Sequence, residues 1–541
     1  MLSVTTTTKP VMILSLHPKF ALLALAVLAA LLVLDFEEPT AFVRRLFIEN
    51  GVTSRKRQSQ AATANDDTAQ QHPDGLFNNL PVFYKEFDER FHSNAHCVGE
   101  NFVESNEGNE AAKHRHCKFQ NLCFDMAERE FVLFLSKEQR ALHNALIKAG
   151  ERDFWPASSL SENMAVWVGG VHPRWRNLDR VLKWYPKFRN VKDTLRVKGG
   201  GGRNASYGGD YMLPPEYAFV PWNSYHGYNP GHIITDDFLP IYTLLSYFNL
   251  TDKELAMVHI DLPDNDRKDR WDNCQNHLEL CEPYMEKFLP LLGTEPRRTS
   301  TQHTATLASV EVRSRYVCAA HGVAGMGMLT DHGKKLHGNF QKDFLWTHNG
   351  GRGDSFYRFR NWMAGRLLGS NVEKARMSRP PYRIVLSSNS STNPQRNVSF
   401  ERHAATLRSK LGKKYDLDVR QVVLSEMSMP DQVRLAAEAS VLVTAAGGGA
   451  SVAHFLPRGA SLLLYFVEFP PEKEVDGDYN GWVMDWDTYN NFAYVRSHWL
   501  PIRHANATYG PDDDQRAADM NVFVKLVDQE LDLISHLDDY D

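Results

Sequence analysis

Between residues 383 and 466 apolar runs alternate with segments of helical period, and this pattern constrains the fold more than any other feature. The runs are RIVLS (383–387), DVRQVVL (418–424), SVLVTAA (440–446) and SLLLYF (461–466), separated by helical patterns at 400–411 and from 430 to 439. Short runs rich in Val, Leu and Ile read as strands buried on both faces, and strands joined through helices form a parallel, doubly wound sheet. Pro430 fits the first turn of its helix, just after Ser428 as a cap. The first half is less regular. There MAVWVGGV, YAFVPW, LAMVHIDL and the longer TDDFLPIYTLLSYF and EPYMEKFLPLLG also read as α/β. A last amphipathic helix carries Val522, Phe523, Leu526, Val527, Ile534 and Leu537 on a 3.6-residue period and should dock on the folded body.

Directly after 440–446 come Gly447-Gly448-Gly449-Ala450-Ser451, a short helical stretch VAHFL, and Pro457-Arg458-Gly459. Glycines let a backbone approach a ligand closely, and amides at a helix start hold anions such as a diphosphate. The turn lies at the carboxyl end of a parallel strand, where open α/β sheets bind ligands. Ser451 is expected at the start of that helix. The plainer alternative is a tight turn with no ligand. A second glycine-dense stretch, 198–209, follows no long apolar strand and reads as a surface loop.

Residues 439–460, ASVLVTAAGGGASVAHFLPRGA, resemble the donor-domain signature of glycosyltransferase family 61: an Ala-Asp-Val-Leu strand, His-Gly-Ala-Gly, then Phe-Leu-Pro-Pro-Gly-Ala. Asp431-Gln432-Val433 is similar to the family's Glu-Gln-Ile, and Arg396 to the arginine of its Arg…Asn-Glu stretch. Asn229-Pro230-Gly231-His232, followed by Asp236, Asp237, Leu239 and Pro240, is similar to its Gly-His…Asp…Leu-Pro element. Those patches lie in the family's order over about residues 117–500. The resemblance implies a GT-B architecture of two Rossmann-like domains facing a cleft, and inverting transfer of a sugar from a nucleotide donor, a UDP-sugar first. It also implies type II topology in the secretory pathway. Ala446 stands where the family has histidine, Gly448 where it has alanine, and Leu464 where it has glutamate.

An inverting transfer needs a base for the acceptor hydroxyl and positive charge or amides for the departing diphosphate. His232 is the first candidate base, placed just before Thr235 as the expected cap of a 236–248 helix. Asp236 and Asp237 either orient that histidine, act as the base themselves, or only add favourable charge to a first helical turn. His226, His321 and His454 are weaker choices. Arg396, a planar donor, is the candidate for the diphosphate together with Gly447, Gly448, Gly449 and Ser451. Arg358 and Arg360 come second and diverge if their segment is helical. The triplets Asp264-Asn-Asp266, Asp476-Gly-Asp478 and Asp485-Trp-Asp487 could hold a divalent cation. They are read here as surface features, with no metal site and no cofactor beyond the nucleotide-sugar co-substrate. Glu468 is a shifted substitute for the missing carboxylate.

The run 20–34 (FALLALAVLAALLVL) carries no charge, and the apolar 11–16 can extend it toward the roughly 20 residues that span a bilayer. After Leu34 the sequence DFEEPTAF offers no Ala-x-Ala cleavage site, which favours a signal-anchor over a cleaved signal. Lys9 and Lys19 precede the run while Asp35, Glu37 and Glu38 follow it, which directs the amino end to the cytoplasm. Expected divisions are a tail (1–19), an anchor (20–34), a stem (35–80), an acceptor-side domain (81–350), a nucleotide-sugar domain (351–510) and a closing helix (511–541). Sequons at Asn204, Asn249, Asn389, Asn397 and Asn506 and an even count of six cysteines agree with an exported body, in the Golgi or endoplasmic reticulum membrane. Cys117/Cys123 and Cys274/Cys281 are spaced to close short loops. His92, His96, His114 and His116 crowd the first cysteines, but Cys-x5-Cys and His-x-His miss the usual spacings of structural zinc. With 61 Lys+Arg against 66 Asp+Glu the charge argues against nucleic acid. The partners expected are a nucleotide-sugar donor, a glycan or glycoprotein acceptor and the membrane. Two rival readings are a catalytically silent lumenal binding protein on the same fold, and a transferase using GDP-fucose.

Overall fold

The computed structural model describes residues 83–85, 91–98, 115–148, 166–168, 182–190, 210–224, 229–260, 287–288, 292, 315–325, 327, 351–368, 379–388, 397–467, 488–502 and 513–537. All of them lie in the compact unit Ala69–Asp541. The region 1–34, the three Asp-x-Asp triplets, Arg396, Glu468, His226, Cys274 and Cys281 lie outside the described residues. No helix among the described residues is long and apolar enough to cross a membrane.

The carboxyl half forms the sheet its pattern predicts. Strands β12 (Tyr382–Ser387), β13 (Leu417–Val422), β14 (Val441–Ala445), β15 (Ser461–Val467) and β16 (Arg496–Ile502) are all parallel, in the order β13-β12-β14-β15-β16. Counted from its first strand this is the order 2-1-3-4-5, whose direction of winding reverses between β12 and β14. Its strands are buried on both faces, as Val441, Leu442, Val443, Leu462, Leu463 and Leu464 are each fully enclosed. Ser428 caps the helix Met429–Ala437 by accepting from the Asp431 amide, with Pro430 in the first turn. β16 is not foreseen from sequence, because RSHWLPI mixes polar residues with a proline. Pro501 is tolerated because edge strands need fewer ladder donors.

The first half is a mixed sheet rather than a second parallel one. Nine strands take part: β1 (Phe83–Lys85), β2 (Asn94–Val98), β3 (His116–Asp125), β4 (Glu130–Leu135), β7 (Lys187–Asn190), β8 (Asp210–Met212), β9 (Tyr217–Trp222), β10 (Glu254–His259) and β11 (Tyr316–Ala324). A separate pair, β5 (Val166–Val168) and β6 (Leu182–Trp184), is antiparallel. The ladders β1/β8, β2/β3, β3/β4 and β3/β11 are antiparallel. The expected Rossmann-like regularity fails here because β3 and β4 are joined by a tight connection, which only an antiparallel pair permits. β9 and β10 keep the parallel pattern, joined across helix 230–247.

Cys117 and Cys123 do not pair with each other. Cys97 bonds Cys117 across β2/β3, and Cys123 bonds Cys318 across β3/β11. Cys117 and Cys123 share one strand, where six residues at about 3.3 Å each hold them apart by about 20 Å. Three of the cysteines crowded by histidines are therefore occupied as disulfides, and His116 Nε2 lies 3.2 Å from the Gly327 carbonyl.

One continuous apolar core joins helix 230–247 (Ile234, Phe238, Ile241, Leu245) to helix Gly353–Leu368 (Phe356, Phe359, Met363) and to the carboxyl sheet. A second core, built on Phe119, Phe131, Phe219 and Val258, packs on the mixed sheet. The last helix, Asp513–Ser535, docks as its period predicts: Phe523, Val527, Leu531 and Ile534 are buried, and buried Glu530 accepts from Arg496 Nε at 2.6 Å and contacts His498 Nε2 at 2.9 Å. Val522, placed on the apolar face by period alone, is exposed.

Candidate active site

The site grows from two strand ends. Helix 230–247 follows β9, so its amino end stands at the carboxyl edge of that strand. The glycine turn follows β14, so it stands at the carboxyl edge of the second sheet, beside the β12/β14 reversal. These two ends meet. A Cβ built on Gly231 would lie 3.3 Å from Gly448 Cα, and one built on Gly448 would lie 2.7 Å from Asn229 Oδ1. Gly448 thus departs from alanine at a place where a methyl group would require the Asn229 side chain to shift.

The histidine helix begins earlier than sequence suggests. Asn229 is its cap, with Oδ1 accepting from the Gly231 amide at 3.0 Å, and Pro230 stands in the first turn. Thr235 is not a cap: its hydroxyl donates to the Gly231 carbonyl at 2.6 Å from inside the helix. The reason is Pro230, whose fixed φ starts a helical turn without needing an amide partner. Residues Ile233–Phe238 are wound as a π-helix between α-helical turns, a widening that often marks functional sites. His232 Nδ1 lies 2.6 Å from Asp236 Oδ2, and Asp236 is fully buried while the histidine side chain keeps 14% exposure. A carboxylate at one ring nitrogen fixes the tautomer and leaves Nε2 as the atom that can accept a proton.

Asp237 points elsewhere. Its Oδ1 accepts from Trp222 Nε1 at 3.1 Å and its Oδ2 from Ser224 Oγ at 2.5 Å, while the Ser224 amide donates to His259 Nε2 at 3.1 Å. Asp237 therefore anchors the end of β9, from which the chain runs on toward Asn229. The two neighbouring carboxylates divide the work, Asp236 on the histidine and Asp237 on the strand end.

At the glycine turn, Gly447 has φ 120° and ψ −164°, a conformation essentially reserved for glycine. A 3₁₀ segment, Gly448–Phe455, starts at once, with the Ala450 amide bonded to the Gly447 carbonyl at 2.8 Å. The first amides of such a segment have no acceptor within it and face outward from its start. Gly447, Gly448 and Gly449 are half-buried between the buried Ala446 and Ala450. Ser451 is fourth in the segment and buried, not at its start, because the unusual Gly447 geometry completes the turn within a single residue. Across the reversal, Ser387 ends β12 and Ser388 follows it. Ser388 Oγ accepts from the Phe400 amide at 3.0 Å and from Gln421 Nε2 at 2.9 Å, tying Phe400 and β13 to the end of β12.

His454 closes the turn from beneath. It is fully buried, its Nδ1 lies 2.9 Å from the Ser451 carbonyl, and Phe356, Phe359, Tyr489 and Phe492 pack around its ring. Burial pushes its pKa down to about 4, so the ring is neutral and acts as a polar wedge in an aromatic box. Tyr494 completes the box by donating to the His454 carbonyl at 3.0 Å. His321, on β11, is also lowered by burial and by Lys253 and Lys118, away from this site. Arg358 and Arg360 diverge as a helix requires: Arg358 is exposed and paired with Asp354 at 2.8 Å, and Arg360 is 1% exposed. Sequence reasoning missed the capping role of Asn229 and the box around His454. An Asn-Pro pair ahead of a helical pattern is the signal for the first, whereas the box is assembled from segments about 100 residues apart.

No family model matches the chain. One curated relative, protein O-linked-mannose beta-1,4-N-acetylglucosaminyltransferase 2 of Xenopus tropicalis, is 24% identical over 357 residues. The match covers 65% of this chain and 50% of that protein, so the chain spans about half the length of its relative. Among solved structures, a flavo di-iron protein of Thermotoga maritima aligns over 84% of this chain and 100% of its own at 9% identity, with a TM-score of 0.19. The flavodiiron core of a Synechocystis protein aligns over 82% of this chain and 99% of its own at 8% identity, with a TM-score of 0.17.

Proposed function

We propose that the chain is an inverting glycosyltransferase that moves a sugar from a nucleotide-sugar, a UDP-sugar in the first instance, to a hydroxyl of a glycan or glycoprotein. The observation that carries the reading is the meeting of Asn229-Pro230-Gly231-His232 with Gly447-Gly448-Gly449. Two sequence patches about 215 residues apart, each singled out for a chemical role, stand against each other at strand ends where such sheets bind ligands. The glycosyltransferase relative supports the reaction class. Its name suggests N-acetylglucosamine as the sugar to test first, and an O-linked mannose as the acceptor.

In this reading the donor diphosphate lies on the amides at the start of the 3₁₀ segment, with Arg396 adding positive charge. His232 Nε2 takes the proton of the acceptor hydroxyl while Asp236 holds the ring and balances the charge it gains. The acceptor oxygen forms a bond to the anomeric carbon as the bond from that carbon to the diphosphate oxygen breaks. UDP leaves with the bonding pair, and an α-linked donor gives a β-linked product. No metal is invoked, since amides and arginine supply the charge. The GT-B arrangement, the domain limits, a type II anchor at 20–34 and placement in the Golgi or endoplasmic reticulum membrane belong to the same proposal.

The test is transfer of labelled N-acetylglucosamine from UDP-GlcNAc to an O-mannosylated peptide by the full chain, compared with His232→Ala. General-base catalysis contributes about 10²–10⁴-fold, so the variant should lose at least the lower figure while still binding UDP. Saturable UDP binding without turnover in the wild type would instead favour the silent binding protein, the reading that Ala446 in place of the family histidine invites.

A further inference from the structure

We infer that Asn229 is a positioning residue that transmits the placement of the glycine turn to His232, an inference that rests on the assignment of His232 as the base. One atom makes both connections. Asn229 Oδ1 accepts the Gly231 amide at 3.0 Å, which starts the histidine helix, and the same oxygen occupies the space beside Gly448, 2.7 Å from where a Cβ would stand. Gly231 itself touches the turn, since a Cβ there would sit 3.3 Å from Gly448 Cα and 3.9 Å from its amide nitrogen. His232 is the next residue. Two bonds then make the first turn rigid: the Ile233 amide to the Asn229 carbonyl at 3.0 Å, and Thr235 Oγ1 to the Gly231 carbonyl at 2.6 Å. Through them any shift of Gly448 that displaces Asn229 also displaces the backbone carrying His232. A shift of this kind alters the 2.6 Å His232–Asp236 contact directly. Positioning of this sort matters because catalytic groups must be held closely to their productive geometry.

The first experiment needs no nucleotide. In the full-length protein, the rate at which diethyl pyrocarbonate modifies His232, read from the peptide that contains it, should rise about fivefold or more in both Asn229→Ala and Gly448→Ala. Asn229→Ser, which restores a capping oxygen, should return it to near the wild-type rate. Unchanged labelling in Asn229→Ala overturns the inference. The second experiment uses UDP-GlcNAc and an O-mannosylated peptide. Asn229→Ala should lower kcat by about tenfold with little change in the KM for UDP-GlcNAc, and the double variant with His232→Ala should be no slower than His232→Ala alone. Losses that add, or that fall on KM alone, overturn it as well. A wild type without transfer activity but with the expected labelling pattern would sink the glycosyltransferase reading and leave the coupling standing.

Discussion

Gly447→Ala is the substitution that most directly probes the backbone of the glycine turn. The residue has φ 120° and ψ −164°, a region that a Cβ-bearing residue enters only at a cost of about 1–3 kcal/mol. The turn cannot escape that cost by rotating. The Ala446 amide is tied to the Tyr465 carbonyl at 2.8 Å on one side, and the Gly447 carbonyl accepts the Ala450 amide at 2.8 Å on the other. For the compact unit Ala69–Asp541, an unfolding entropy of about 2.1 cal/mol/K per residue makes each kcal/mol worth about 1 °C, so the variant should melt about 1–3 °C below wild type. Differential scanning calorimetry of both proteins at pH 7.5 reads the difference. Gly459→Ala, at φ 89° after Pro457-Arg458, should show a loss of the same order although it lies away from the proposed site. If Gly447→Ala melts at the wild-type temperature, the turn is not held in the described conformation and the anion cradle built on it fails.

Further expectations follow from burial and charge. His403 and His454 are both lowered to about 4 from an ordinary 6.5 by burial, so the folded state binds fewer protons than the unfolded chain. Stability from each should be complete above pH 6.5 and decline as pH falls toward 4, and His403→Phe should flatten that slope in urea titrations across the window. Cys123→Ser opens a loop of 195 residues closed by Cys318, and the chain-entropy relation puts the loss at about 5 kcal/mol, visible as a fall in the urea midpoint without reducing agent. Asp237→Asn weakens charged acceptance from Trp222 and Ser224 and should cost about 1.5–3 kcal/mol by the same measurement. If Asp237→Asn leaves the midpoint in place, the carboxylate is not the anchor of the β9 end.

How far the sequence could be read tracks the range of the interactions concerned. The carboxyl sheet was legible because each strand from 382 to 467 is an apolar run enclosed on both faces, and Ser428 and Pro430 mark their helix locally. The mixed sheet was not, because its register depends on partners far apart in the chain, such as Cys123 with Cys318 or Val317 with Tyr211. The histidine helix starts six residues before the position that Thr235 suggests. Thr235 and Asp236 look like a cap and an acidic first turn, yet Pro230 starts the helix earlier and leaves that task to Asn229. His232, Asp236 and the three glycines were legible as residue types at a strand end. Their convergence was not, since no periodicity reports that two loops from different sheets touch. Asp237 illustrates the same limit: beside Asp236 it looks equivalent, and only the positions of Trp222 and Ser224 separate their roles.

The central claim is that a nucleotide diphosphate binds at the glycine turn, and isothermal titration of the full chain with UDP, GDP and CMP tests it most directly, with Gly448→Val alongside. The account predicts saturable binding of UDP in preference to the other two, weakened at least about tenfold in a Gly448→Val protein that retains its circular dichroism spectrum. A folded wild type that binds none of the three, or binds UDP equally well with valine at 448, would contradict it.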